Sequence, residues 1–333
     1  MEPDVFWVGD YYENVGKSRA EFIEELITQF KIAESYNFKT AWIAEHHFSN
    51  YGTIPSTSVF LSSIARETKR IRLGTAIVTI VFRNPVQVAE EFSLLDILSK
   101  GRLDLGVGSG YLKHEFEGFN VPQEWKREIF DEALEIILKA FTGEKFSYKG
   151  KHFNLNDILI NVTPYQIPHP PIWVGVLRAD ASFHVGKKGF NILMIPYATV
   201  DKIEELSDVV SVYRRANPKG KVAIAFHAHV GKNNHEAIDE SKEYLTRYVF
   251  SRLYAKKRTL EELYSKGLYI VGGPEEVAKQ IEYVYNVSKP DKLMFLLNFG
   301  MMPNLLIEKS MELLSEKVSK LLYQKGISIE FDN

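Results

Sequence analysis

The run Glu45-His46-His47 places one carboxylate and two imidazoles in consecutive positions. Histidine exchanges a proton near neutral pH, so either ring could serve as general acid or base, or hydrogen-bond an oxygen-bearing intermediate. Neighbours on extended backbone point to opposite faces, so the two rings are not expected to share one role. His46 is assigned to a reactive pocket, with a packed structural histidine as the alternative; His47 is assigned to the packing behind it. His227 and His229 are spaced to share a strand face and are further candidates for lining the pocket. Glu45, His46, His227 and His229 could in principle converge on a metal. No H-E-x-x-H or similar ligand spacing accompanies them, and no catalytic metal is expected.

Gly108-Ser109-Gly110 would let backbone approach a ligand closely and offer amides to an anion or heterocycle, although such glycines also make plain turns. Arg178, followed by Ala179, stands at the predicted opening of a helix. There a guanidinium beside helix amides could hold a phosphate; a surface salt bridge explains it almost equally well. Ala76, Ile77 and Val78 could form an apolar cofactor surface, whereas Trp42 and Trp173 read as core residues.

The elements that must position these groups alternate regularly. Short apolar runs at Val5–Val8, Thr40–Ala44, Ile71–Val81, Arg102–Val107, Ile172–Val176, Ile192–Ile195, Val222–Phe226 and Lys292–Leu297 read as strands. Between most of them lie segments of helical periodicity, among them Arg127–Phe141 and one opened by Pro85. Almost continuous apolar strands joined by crossover helices suit a parallel sheet covered on both faces. Eight of them predict one modified (β/α)8 TIM barrel over residues 1–333, with a doubly wound open sheet as the alternative. Ligands of such a barrel bind at the carboxyl ends of the strands, where every residue singled out above falls. Two excursions break the rhythm: a hairpin and proline-rich loop over residues 142–171, and a charged helical segment over residues 247–270.

The 333 residues carry 41 basic and 43 acidic side chains, a near-balance with no long-range attraction for nucleic acid or an anionic membrane. There is no cysteine, which excludes disulfides, thiol catalysis and cysteine-ligated metals. No stretch approaches the roughly 20 apolar residues that span a bilayer, and the acidic start does not read as a signal peptide. A cytoplasmic location is therefore expected. No G-x-G-x-x-G fingerprint follows the first strand, so no nicotinamide site is expected in this chain.

Ordered passages along the chain closely resemble the bacterial luciferase-like flavin monooxygenase family. They include Trp42-Ile43-Ala44-Glu45-His46-His47-Phe48, Leu73-Gly74-Thr75-Ala76-Ile77, Asn84-Pro85-Val86-Gln87-Val88-Ala89-Glu90 and Gly106-Val107-Gly108-Ser109-Gly110. Pro171-Ile172-Trp173-Val174 and Gly272-Gly273-Pro274-Glu275-Glu276-Val277 continue the likeness. The resemblance implies a cis peptide at Ala76-Ile77 beside a flavin ring, and His46 approaching that flavin. It implies cofactor contacts at Glu45, Ala76, Ile77, Gly108, Ser109, Gly110, Arg178 and Ala179. Ser109 replaces a phosphate-contacting arginine of close luciferase relatives, and Arg178 falls near another phosphate contact. The implied reaction takes reduced FMN from a separate NAD(P)H-dependent flavin reductase and uses molecular oxygen. One oxygen atom enters a small, mostly apolar organic substrate and the other becomes water. An F420-dependent hydride-transfer oxidoreductase and a non-catalytic flavin-binding homologue are the alternatives. A homodimer is also expected; light emission and a long-chain aldehyde substrate are not implied.

Overall fold

The apolar runs become eight parallel strands that close on themselves. In a computed structural model describing residues 1–252 and 257–331, these are β1 (Glu2–Trp7), β2 (Thr40–Ile43), β3 (Arg72–Thr75), β4 (Leu103–Gly108), β5 (Ile172–Gly175), β6 (Asn191–Met194), β7 (Val222–Val230) and β8 (Lys292–Asn298). Each pairs with the next, and β8 returns to β1 in the register Glu2↔Lys292 to Phe6↔Leu296. The ring is thus a (β/α)8 barrel, covered outside by helices such as Arg19–Ser35, Pro85–Leu98 and Lys126–Phe141. Pro85 opens its helix at a position that needs no N–H, while the Asn84 side chain accepts from Val86 N–H at 2.9 Å. Among the described residues no helix is long and apolar enough to cross a membrane.

Trp42 and Trp173 are fully buried inside the amino end of the barrel, their rings edge-to-face at 5.5 Å. Their indole N–H groups donate to Asp4 (2.8 Å) and Asp104 (3.0 Å), and Lys292 lies 3.2 Å from Asp4. This satisfied polar layer closes the barrel floor and leaves the carboxyl end for ligands.

Three expectations are corrected. The third run is not one strand over Ile71–Val81: β3 ends at Thr75, the Ala76-Ile77 bond is cis, and Val78–Thr79 alone rejoins β4. A ninth parallel strand, Tyr269–Gly272, extends outward from the carboxyl half of β7. Its first two residues sat inside the segment expected to be helical, and four residues are too short to show a period. That excursion also begins earlier than residue 247, with the helix Asn234–Ser251, whose N-cap Asn233 accepts from Glu236 N–H at 3.0 Å. Part of the expected excursion, residues 253–256, lies outside the described residues. The expected hairpin is present as Phe146–Lys149 against Asn154–Ile158. It is tied down by the Glu132 carboxylate, which accepts from the N–H groups of Lys151, His152 and Phe153 at 2.8–3.1 Å.

Close backbone contact between β3 and β4 explains one glycine. The Thr75 hydroxyl donates to the Gly106 carbonyl (2.7 Å) and accepts from Gly106 N–H (2.8 Å). A Cβ at residue 106 would stand 1.9 Å from the Thr75 carbonyl oxygen. Gly106→Ala is expected to cost about 3 kcal/mol through forced strand separation. It would be read as a lower urea-unfolding midpoint; an unchanged midpoint would contradict the contact.

Candidate active site

The strand carboxyl ends surround a cavity of about 410 Å3. Of the nine residues expected as the catalytic group or cofactor contacts, eight line it: Glu45, His46, Ala76, Ile77, Gly108, Ser109, Gly110 and Arg178. Ala179 does not; it starts the helix Ala179–Lys187 behind the wall. Phe6, Val8, Leu193 and Met194 supply an apolar floor. Ile77 lies across Gly108, where a Cβ would come within 2.6 Å of its side chain, so the wall beside the cis bond is flat because residue 108 has no side chain.

His46 faces this cavity with a fixed ring. Its Nδ1 lies 3.2 Å from Glu115 Oε1, and the same oxygen accepts from His47 N–H at 2.9 Å. Burial works against the charge on Glu115, but these bonds outweigh it and hold the carboxyl below its usual range. Burial also lowers His46 below its ordinary value of 6.5, against the opposing pull of Glu115. The ring is therefore neutral at pH 7. With Nδ1–H donated to the carboxylate, Nε2 is left as the proton acceptor. Glu115 comes from the short helix Lys113–Gly118 after β4, 69 residues from His46. No periodicity could have joined the two.

His47 points the other way, as alternation requires, and packs edge-on to Phe119 at 4.7 Å. Glu45 is buried and braces the break after β3: its Oε1 accepts from Thr79 N–H at 3.1 Å, and its Oε2 lies 3.9 Å from Arg83. His227 lies outside the cavity wall among Tyr197, Tyr248 and Phe299, neither nitrogen hydrogen-bonded among the described residues. Burial, aided by the nearby Arg252 charge, pushes it down to about 3. His229 turns outward to Glu240 (2.9 Å) and Ser310 (3.1 Å), a structural role. The four candidate ligands thus do not converge, and among the described residues no group of three acidic or imidazole side chains could hold a metal.

The cationic side of the cavity differs from expectation. Arg178 is the N-cap residue of its helix, and its exposed guanidinium grips Asp180 through two bonds of 3.0 and 2.6 Å. The salt-bridge alternative is therefore realised, although the residue still borders the cavity. Sequence reasoning missed Lys126 and Arg127, which open the helix after β4 and line the same end. Lys126 Nζ reaches the Gly110 carbonyl at 3.4 Å, whereas Arg127 makes no ion pair or hydrogen bond among the described residues. The signal available was the pair of basic residues at a helix start, indistinguishable there from solvated charges. Beside Ser109 and Gly110, these cations suit an anionic group, and the apolar floor and flat wall suit a planar ring. The residues present therefore fit a phosphorylated flavin. A second chamber of about 390 Å3 adjoins at the mouth, sharing Tyr51, Tyr111, Leu177, Ala198 and Arg252 with the first.

The model of the luciferase-like monooxygenase family matches residues 9–288. The protein y4wF of Sinorhizobium fredii is 33% identical over 201 residues; the match covers 60% of this chain and 59% of that relative's length. The oxygenase component of the flavin-dependent trigonelline monooxygenase of Acinetobacter baylyi is 25% identical over 271 residues, covering 79% of this chain and 73% of its own. Among solved structures, monooxygenase RslO1 from Streptomyces bottropensis superposes with a TM-score of 0.89 at 23% identity, covering 96% of this chain and 98% of that one. The oxygenating constituent of 3,6-diketocamphane monooxygenase from Pseudomonas putida, in complex with FMN, gives 0.83 at 19% identity, with 96% and 98% covered. At these identities the two structures establish likeness of fold alone.

Proposed function

This chain belongs to the luciferase-like monooxygenase family, and from that premise we propose that it is an FMN-dependent monooxygenase acting on a small, mostly apolar organic substrate. The observation that carries the reading is the meeting, in one cavity, of the His46–Glu115 pair, the flat Ala76-Ile77 wall and the cations beside Ser109. Reduced FMN, when bound, would supply the electrons that activate molecular oxygen. The chain's part is to hold and dry that chemistry. Arg127, the Ser109 hydroxyl and Gly110 would bind the phosphate, and the apolar floor would exclude water from the ring. His46 Nε2 would take a proton as the substrate is oxidised, with Glu115 fixing the tautomer.

Mass analysis of products made under labelled dioxygen tests the activity, with one labelled atom expected in the product. Absence of product above a heat-treated control would leave a non-catalytic flavin-binding homologue. Anaerobic titration should favour reduced FMN over reduced F420; selective, tight F420 binding would replace oxygenation by hydride transfer. A separate NAD(P)H-dependent flavin reductase belongs to the proposal, supported by the related protein named as an oxygenase component. Rapid NADH or NADPH consumption by the purified chain with FMN alone would contradict it. A homodimer also belongs to the proposal, and exposed Val59, Leu94 and Ile97 on neighbouring helices offer it an apolar face. A monomer persisting in light scattering at high concentration would exclude it.

The pH profile follows from the site. Because His46 titrates below 6.5, the acid limb of kcat/KM should lie below that pH, with activity lost as pH falls through the folded value. Glu115 raises His46, so Glu115→Gln should move the limb to still lower pH and depress the plateau about tenfold through the weakened tether. A limb displaced upward would show that Glu115 does not act on His46.

A further inference from the structure

Two buried guanidiniums stand in the chamber at the cavity mouth, and they differ in one respect. Arg258, 7% exposed, has a carboxylate: Asp201 lies 3.2 Å away. Arg252 is equally buried and lines both chambers, yet no carboxylate pairs with it among the described residues. Its surroundings are aromatic, with the rings of Tyr51, Tyr197 and Tyr248 at 4.6, 4.9 and 5.5 Å. Asp10 feels its charge, but that carboxylate accepts from Gly300 N–H at 2.7 Å and makes no ion pair with it. Nor does the end of the helix Asn234–Ser251 neutralise it, because the free carbonyls of Val249 and Phe250 are taken by Lys257 Nζ at 3.2 and 2.9 Å. Besides these ring faces only the neutral hydroxyls of Tyr111 and Tyr197 approach the guanidinium, and neither carries the full charge that would balance it, so a desolvated guanidinium held this way is a cation without its counter-anion.

We propose that Arg252 binds the carboxylate of the substrate, which is accordingly an organic acid with an otherwise apolar body. The inference rests on the oxygenase reading for the word substrate, and on the chamber itself for the acid. Phenol donors converge on the same spot: the Tyr51 and Tyr248 hydroxyls lie 3.3 Å apart, and Tyr111 is within hydrogen-bonding reach of Arg252 and Tyr51. Arginine flanked by neutral phenols presents a planar fork and added O–H donors, the geometry a carboxylate accepts. Leu112, Leu177 and Ala198 supply the apolar remainder of the chamber. The His46 and Tyr51 rings are 4.4 Å apart, so an acid held at Arg252 sits one phenol ring from the proton acceptor. A substrate anchored there would present a carbon near the acid for oxidation.

Isothermal titration with benzoate, cyclohexanecarboxylate, hexanoate and octanoate, each against its own amide, tests the site in flavin-free protein and in protein saturated with oxidised FMN. At least one acid should bind tenfold or more tightly than its amide. Arg252→Gln should erase that preference and leave oxidised FMN affinity within twofold. Tyr111→Phe, which removes one hydroxyl from a residue 43% exposed and should not disturb folding, should weaken the acid about threefold and its amide not at all. The inference is overturned if no acid exceeds its amide, or if the preference survives Arg252→Gln. It is equally overturned if Arg252→Gln loosens FMN as much as the acids, which would assign the cation to the flavin. Should Arg252→Gln fail to fold, an unchanged acid preference in Tyr111→Phe overturns it instead. Acid preference in flavin-free protein that binds no FMN would sink the oxygenase reading and keep this site; FMN binding without acid preference would do the reverse.

Discussion

His46→Ala is expected to lower product formation about a hundredfold, the scale of a positioned acid–base group, while reduced FMN still binds. The ring is held from Nδ1 by Glu115 and sits at the cavity with Nε2 as acceptor. Truncation removes the acceptor without touching the apolar floor or the cationic end. It also leaves Glu115 with the His47 N–H as a remaining partner, so the carboxylate is not stranded. The cost to stability should therefore stay near that of one lost charged hydrogen bond, about 2 kcal/mol. Oxygen consumption should continue with hydrogen peroxide as a larger share of the outcome, because the proton no longer has its acceptor during oxidation. Stopped-flow mixing of reduced flavin, enzyme, substrate and oxygen, with product yield measured alongside, tests both halves. Unchanged coupling and rate would reduce His46 to a packing residue.

The second large effect concerns the phosphate. Arg127→Ala should weaken FMN about tenfold to a hundredfold, matching a charge-assisted hydrogen bond of about 1.5–3 kcal/mol. Riboflavin, which lacks the phosphate, should be unaffected within about twofold on the same scale. Arg127 makes no ion pair among the described residues, and the nearby Asp131 carboxylate is bonded to Lys188 at 2.6 Å, so Arg127 need not exchange one anion for another. Arg178→Ala should also discriminate FMN from riboflavin, but by a smaller factor, because its guanidinium is already bonded twice to Asp180 and is open to solvent. A greater loss at Arg178 than at Arg127 would place the phosphate on the helix after β5. Equal losses of FMN and riboflavin in either variant would mean that the ring, rather than the phosphate, had moved.

The amino-acid sequence by itself determined the barrel and which residues gather at the carboxyl ends of its strands. Continuous apolar runs alternating with helical periods leave few arrangements other than a covered parallel ring. Chain order then brings Glu45-His46, Ala76-Ile77, Gly108-Ser109-Gly110 and Arg178 to one end. Alternation along extended backbone also sends the His46 and His47 rings to opposite sides, since that geometry is local. What only the tertiary structure decided are the pairings between distant side chains. Glu115 fixes the His46 ring across 69 residues. Asp180 takes Arg178, whereas Arg127 has no ion pair among the described residues. Arg252 is folded in among tyrosines and makes no ion pair with a carboxylate among the described residues. The strand Tyr269–Gly272 belongs with these, being defined by its partner β7 rather than by its own four residues. Periodicity records which face of an element is buried, because burial repeats along the chain. Which charge meets which depends on loop paths and rotamers that leave no repeating trace.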